Sequence, residues 1–174
     1  MRYYELEQKF FKPETEIYVS NENALKIIRK LIRHFKIENM IIIYTGKLHK
    51  IQQTESSHSF TFIKQNENEL KDNTKYFIVR FSSRFKIYKT KIYPSGNRGW
   101  MRISKNPILT LSIYPSINVI CHELAHFLSE LKNKSMRHNL KMLKQQKRMI
   151  NYVRKKHYWG MTISENERNK LLKL

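Results

Sequence analysis

The sequence predicts an α+β domain: a small twisted β-sheet, an N-terminal helix before it and two helices after it. Three observations support this prediction: apolar residues repeat with helical period near 24–35, β-rich runs occupy the middle, and helical periodicity returns from residue 117. A hydrophobic content of 40% with 12% aromatic residues is typical of a folded chain. A length of 174 residues favours one domain with its own core.

The first helix follows residues 1–19, which we interpret as an N-terminal arm. Ser20 and Asn23 resemble a helix start. Seven apolar residues then recur on one face: Ala24, Leu25, Ile27, Ile28, Leu31, Ile32 and Phe35. The opposite face carries cations, namely Lys26, Arg29, Lys30 and Arg33.

Candidate strands fill the middle of the chain. The β-rich runs span residues 40–48, 60–63, 76–79, 85–93 and 100–104. No run of apolar residues is long enough to cross a membrane, and the first residues do not resemble a signal peptide. These features predict a soluble, intracellular protein without a membrane partner. The single cysteine, Cys121, excludes an internal disulfide and is expected to be a buried thiol.

A helix over residues 117–131 carries the pattern H-E-x-x-H. Pro115 suits its first position, and its apolar residues form a stripe that faces a core. Residues four apart share a helix face, so His122 and His126 can direct two imidazole nitrogens at one metal ion. Glu123 lies beside them and can remove a proton from the attacking water.

A catalytic zinc site needs a third protein ligand, and His138 is the best candidate. It lies twelve residues after His126, beyond a short polar turn, and it opens a second helical run over residues 139–154. His157 remains an alternative. The compact metzincin pattern has its third histidine six residues after the second. This sequence has Lys132 at that position, which argues against the metzincin pattern.

Glutamates are weaker candidates for the third ligand. Glu130 follows His126 by one turn on the same helix and cannot easily turn back to the metal. Glu165 and Glu167 fall in residues 157–174, which we interpret as a basic and polar C-terminal tail.

These residues carry a family resemblance. The stretch I-C-H-E-L-A-H-F-L, a polar turn and R-H-N-L-K-M-L together resemble the SprT-like (Spartan-type) zinc metallopeptidases, and residues 100–104 look like the strand that precedes the metal helix in that family. The resemblance covers residues 20–155, most firmly 100–145. Two positions depart from the family pattern. Asn139 replaces a glycine whose backbone region asparagine tolerates, and Met142 replaces an aromatic residue.

The resemblance implies a zincin-like fold and one Zn²⁺ per chain. It places His122, His126 and His138 on the ligand positions and Glu123 on the general-base position. It also implies protein substrates attached to DNA, and hence a role in the repair of DNA–protein crosslinks.

The charge is strongly one-sided. Lysine and arginine number 34 against 14 acidic residues, a net charge of +20. No acidic residue occurs between Leu131 and Ser164. A patch of one sign is suited to neutralising phosphates, so we expect association with nucleic acid, with DNA favoured and without sequence-specific readout. The candidate contacts are Lys134, Arg137, Lys141, Lys144, Lys147, Arg148, Arg154, Lys155 and Lys156.

Two other functions stay open at this point. One is a nucleic-acid-binding protein whose metal site is structural or vestigial. The other is a metal-dependent hydrolase of a non-peptide substrate such as RNA, although Lys132 stands where the last histidine of one such endoribonuclease pattern would lie. Oxyanion stabilisation in a peptidase would come from Tyr152, His157 or Tyr158, and the sequence does not choose among them.

Overall fold

A computed structural model describes residues 3–10, 17–37, 41–45, 63–64, 75–82, 99–102, 107–133, 138–156 and 162–172. Within these residues the predicted α+β class is confirmed. The helices are α1 Tyr3–Phe10, α2 Asn21–His34, α3 Ile117–Asn133, α4 Leu140–Lys155 and α5 Glu165–Leu172. The strands are β1 Tyr18–Val19, β2 Ile41–Thr45, β3 Ile63–Lys64, β4 Tyr76–Ser82, β5 Gly99–Arg102, β6 Ile108–Ser112 and β7 Thr162–Ile163.

The larger sheet has the strand order β3-β2-β4-β6-β5. Its pairs are parallel except for β5, which runs antiparallel to β6. In β4, alternate side chains point to opposite faces, as strand geometry requires. Phe77, Val79 and Phe81 join the main core with the helices, whereas Tyr76 and Ile78 belong to a smaller cluster on the other face.

Most predicted strands are confirmed, but β6 was missed. β2, β4 and β5 lie on the predicted runs, β3 includes only the last residue of 60–63, and residues 85–93 lie outside the described part. β6 lies between β4 and β5 in the sheet, and it, not β5, directly precedes the H-E-x-x-H helix. Leu109 and Leu111 of β6 are fully buried. Their alternation is the signal that could have identified this strand.

Polar caps fix the helix starts. The predicted start at Ser20 is confirmed, because its Oγ accepts a hydrogen bond from the Asn23 N–H at 3.1 Å. α3 begins at Ile117, as the predicted range has it, and only the helical position suggested for Pro115 is wrong. Ser116 Oγ caps it by accepting from the Val119 N–H at 3.1 Å, so Pro115 lies outside the helix.

α4 departs from the prediction at two residues. Asn139 has a φ of −142°, which is extended backbone, and its Oδ1 accepts from the Met142 N–H at 3.0 Å. Asparagine therefore serves as an N-cap and does not adopt a glycine-like left-handed conformation. Helical spacing would turn Leu140 inward together with Leu143, Ile150 and Val153, but Leu140 is 60% exposed, and Met142 is buried.

Residues 162–172, predicted as part of a polar tail, form β7 and α5 and return to the body of the protein. β7 pairs with β1, and β1 also contacts the segment before α3 through a hydrogen bond from the Val19 N–H to the Pro115 carbonyl. Arg168 of α5 is only 1% exposed. Its Nε donates to the Tyr114 carbonyl at 2.7 Å, and its guanidinium lies 4.6 Å from the centre of the Tyr18 ring.

Tyr114 needs this support because its φ is +52°, a left-handed conformation that costs about 1–2 kcal/mol in a non-glycine residue. Its N–H donates to Asn21 Oδ1 at 2.8 Å, so Asn21 and Arg168 hold the two sides of the same turn. This turn sets the start of α3.

We expect Arg168→Ala to lower the free energy of unfolding by about 2–3 kcal/mol, since it removes a charged hydrogen bond to a buried carbonyl. Chemical denaturation would measure the change. Lys170→Ala, on an exposed position of the same helix, is the control and should change stability by less than about 0.5 kcal/mol. Equal stability of the two variants would show that Arg168 does not secure the turn.

The thiol prediction is confirmed. Cys121 is fully buried on α3, and burial raises the pKa of its thiol well above the ordinary value. None of the helices in the described part of the chain is both long and apolar enough to span a membrane.

Candidate metal centre

The inner face of α3 anchors the helix against the sheet and leaves its histidines on the flank. Ile120, Leu124 and Phe127 are buried in the main core. The ring of Phe127 meets that of Phe77 edge to face, with centroids 5.5 Å apart. His122 and His126 follow on an adjacent side of the helix, toward the start of α4, as four-residue spacing requires.

Three histidines converge at this position. His138 lies just before α4, and its Nε2 is 3.1 Å from Nε2 of His122 and 3.1 Å from Nε2 of His126. One ring nitrogen from each of the three lies within 4.8 Å of the others. His126 is buried, His122 is half-buried and His138 is exposed, so the group is open on the His138 side. These three residues can hold a metal ion.

The donor set fits a metal with a preference for nitrogen. A tetrahedral zinc ion with ligands at about 2.0–2.1 Å separates its ligand nitrogens by about 3.3 Å, close to the two separations of 3.1 Å seen here. Three imidazoles suit zinc, copper, iron or nickel, whereas magnesium and calcium prefer oxygen ligands. When each ring carries its hydrogen on the other nitrogen, a cation at the centre would accept the lone pairs of all three.

Two residues that the sequence analysis did not identify adjoin the histidines. Glu7 of α1 lies with its Oε1 3.0 Å from Nδ1 of His122. The same oxygen accepts a hydrogen bond from the side-chain amide of Gln146, a buried residue of α4, at 2.9 Å. No local pattern marks Glu7, because the contact joins positions 115 residues apart. Gln146 offers a weak signal, as a polar residue on the inner face of α4.

Charge and burial have opposite effects on the pKa values of His122 and Glu7. Burial alone would lower the pKa of His122, but the hydrogen bond and charge of Glu7, with the charge of Glu123, raise it above the ordinary value. Burial alone would raise the pKa of Glu7, but its hydrogen bond and ion pair with His122 lower it. Burial, and secondarily the charge of His122, lower the pKa of His138.

Glu123 is the buried carboxyl next to the first histidine. It is 7% exposed. Burial raises its pKa to about 7, an effect that His122 opposes and Glu7 reinforces. A cation bound by the three histidines would favour the charged form of this carboxylate.

Among the residues considered for oxyanion stabilisation, Tyr152 lies on α4 and stacks its ring on His34 of α2, with centroids 4.0 Å apart. His157 and Tyr158 lie outside the described residues.

The cations predicted on the second helix lie on its outer side. Lys134 and Arg137 fall outside the described residues. The other seven are all exposed on or just after α4: Lys141, Lys144, Lys147, Arg148, Arg154, Lys155 and Lys156.

The end of α2 adds more positive charge beside α4. The Arg148 guanidinium lies 5.4 Å from the Phe35 ring centre, and the stacked His34 and Tyr152 rings join the same two helices. Arg33 and Lys36, which flank these rings on the α2 side, are exposed. We call the exposed cations of α4 together with these two residues the α2–α4 basic surface.

Comparison with known proteins gives no relative. No protein-family model matches the chain, and neither the curated proteins nor the solved structures yielded a match. The functional interpretation therefore depends on the residues themselves.

Proposed function

We propose that this protein is a zinc-dependent endopeptidase of SprT-like type on a zincin-like fold, and that it cleaves proteins bound to nucleic acid. The observation that carries the proposal is the convergence of His122, His126 and His138 around one point, with Glu123 on the same turn as the first ligand. A histidine pair and a glutamate in H-E-x-x-H spacing, joined by a third histidine, are the parts that such a hydrolase requires.

Each residue has a distinct role in the proposed reaction. The three histidines would hold zinc, which supplies a Lewis acid that polarises the scissile carbonyl and acidifies the attacking water. The Glu123 carboxylate accepts a proton from that water and then delivers it to the leaving amine.

The α2–α4 basic surface supports the nucleic-acid part of the proposal. α4 carries its cations on a helix that begins directly after His138, so a phosphate backbone bound along α4 passes the metal site. Proteins attached to that nucleic acid would then be held close to the histidines. Backbone contacts of this kind give affinity without reading sequence.

We expect the removal of lysines from this surface to weaken DNA binding and to make the binding less dependent on salt concentration. Lys144→Ala and Lys155→Ala should each lower affinity and reduce the slope of log K against log salt by about 1 for each phosphate that is no longer neutralised. Fluorescence anisotropy with labelled DNA over a salt series measures both quantities. Lys170→Ala removes an exposed lysine on α5 and serves as the control. An unchanged slope in all three variants would place the nucleic acid elsewhere or exclude it.

The test of the proposed function is metal content together with cleavage. Protein purified without added metal should contain one zinc per chain, as measured by inductively coupled plasma mass spectrometry. It should cleave casein or histone, and DNA should stimulate the cleavage. A chelator should inhibit the cleavage, and added zinc should restore it. Zinc without cleavage, combined with salt-dependent DNA binding, would instead support the second candidate: a nucleic-acid-binding protein with a structural metal site. The α2–α4 basic surface is the observation that favours this second candidate.

A further inference from the structure

Glu7 is the acidic side chain that connects the N-terminal helix to the histidine cluster. The His122 ring has two nitrogens, and they face different partners: Nε2 faces His138 at 3.1 Å, while Nδ1 faces Glu7 Oε1 at 3.0 Å. The Glu7 side chain is 18% exposed and that of His122 is 16% exposed, so both are largely shielded from competing water.

The chemistry of this contact fixes the tautomer of His122. A carboxylate has no proton to donate, so Nδ1 of His122 must carry the hydrogen and donate it. In the neutral ring, Nε2 then presents its lone pair to the centre of the three histidines. This is the tautomer that a metal needs, and a carboxylate in this position also increases the basicity of the ligand.

Gln146 fixes Glu7 in turn. Its amide donates to the same Glu7 oxygen at 2.9 Å from a fully buried position on α4. α1, α3 and α4 are therefore joined through one carboxylate oxygen. Because α1 is a helix of eight residues, it depends on such contacts for its own stability.

We propose that Glu7 is a positioning residue that orients His122 for metal binding, and that metal binding in turn holds α1 against α3 and α4. The second half follows from reciprocity, since a contact that strengthens metal binding must itself be strengthened by the metal. This inference rests on the proposed metal site and adds the N-terminal helix to it. It does not depend on which reaction the site performs.

The zinc affinity of Glu7 variants tests the first half. Glu7→Ala should raise the zinc dissociation constant about 10- to 100-fold in chelator competition. Glu7→Gln should show a smaller loss, because an amide oxygen can still accept from Nδ1. Glu5→Ala, at an exposed position of the same helix, is the matched control and should retain wild-type affinity. Equal affinities of Glu7→Ala and the wild type would overturn the inference.

Hydrogen exchange tests the second half. Zinc should slow amide exchange in residues 3–10 of the wild type and should do so much less in Glu7→Ala. Exchange that does not respond to zinc in the wild type would refute the coupling. If Glu7→Ala does not fold, ¹⁵N NMR of the zinc-loaded wild type can identify the tautomer of His122. A proton on Nδ1 supports the proposed role of Glu7, and a proton on Nε2 contradicts it.

Different results would contradict the role of Glu7 and the proposed function of the protein. If the wild type binds zinc and cleaves protein while Glu7→Ala has unchanged affinity, only the role of Glu7 is wrong. If Glu7→Ala loses affinity while the wild type cleaves no protein, Glu7 positions the ligand of a site with another function. A wild type that binds no zinc would refute both.

Discussion

Glu123→Gln is expected to abolish protein cleavage while the protein keeps its zinc. Glutamine has nearly the same shape as glutamate, so the substitution preserves packing at a position that is 7% exposed. It cannot accept a proton from the attacking water, and loss of a general base reduces turnover by about 10²- to 10⁴-fold. Zinc should remain because the ligand set is three histidines and excludes Glu123.

The measurement pairs initial rates of casein cleavage with zinc content of the same preparation. Glu130→Gln is the matched control, since it makes the same change two turns further along α3 at a residue that is not part of the three-histidine group. It should retain both zinc and activity. Full activity in Glu123→Gln would remove this residue from the mechanism, and loss of zinc in the variant would show that it contributes to metal binding.

His138→Ala is expected to remove the metal and, with it, the stability that the metal confers. His138 is a better choice than His126 for this test. His126 is buried, so its replacement would also create a cavity, whereas His138 is exposed and contributes little to packing. Without the third ligand, two histidines on one helix should bind zinc far more weakly.

Thermal unfolding with and without zinc makes the effect measurable. Zinc at 100 times its dissociation constant should stabilise the wild type by about 2.7 kcal/mol, and His138→Ala should show almost none of this effect. The metal-free forms should have similar stability. His34→Ala removes an exposed histidine outside the cluster and should respond to zinc as the wild type does. One zinc per chain retained in His138→Ala would require another third ligand, such as His157.

Local patterns were sufficient where a residue's neighbours in sequence decide its environment. The helical repeat predicted α2 and α3, and Ser20 predicted the first residue of α2. Spacing alone placed His122 and His126 on one side of α3. Two features were not predicted: β6 was missed although Leu109 and Leu111 alternate with polar residues, and the orientation of Leu140 at the first turn of α4 depends on what packs there.

The sequence by itself determined the pair of histidines, the glutamate between them, and the excess of positive charge, because helical periodicity and composition are local properties. Only the tertiary structure decided which residues surround them. The approach of His138 to α3 depends on how α3 and α4 pack. The contact of Glu7 with His122 joins residues 115 positions apart, and the stacking of His34 on Tyr152 places the cations of α2 beside those of α4. Such contacts arise from the packing of whole helices, which no short stretch of sequence specifies.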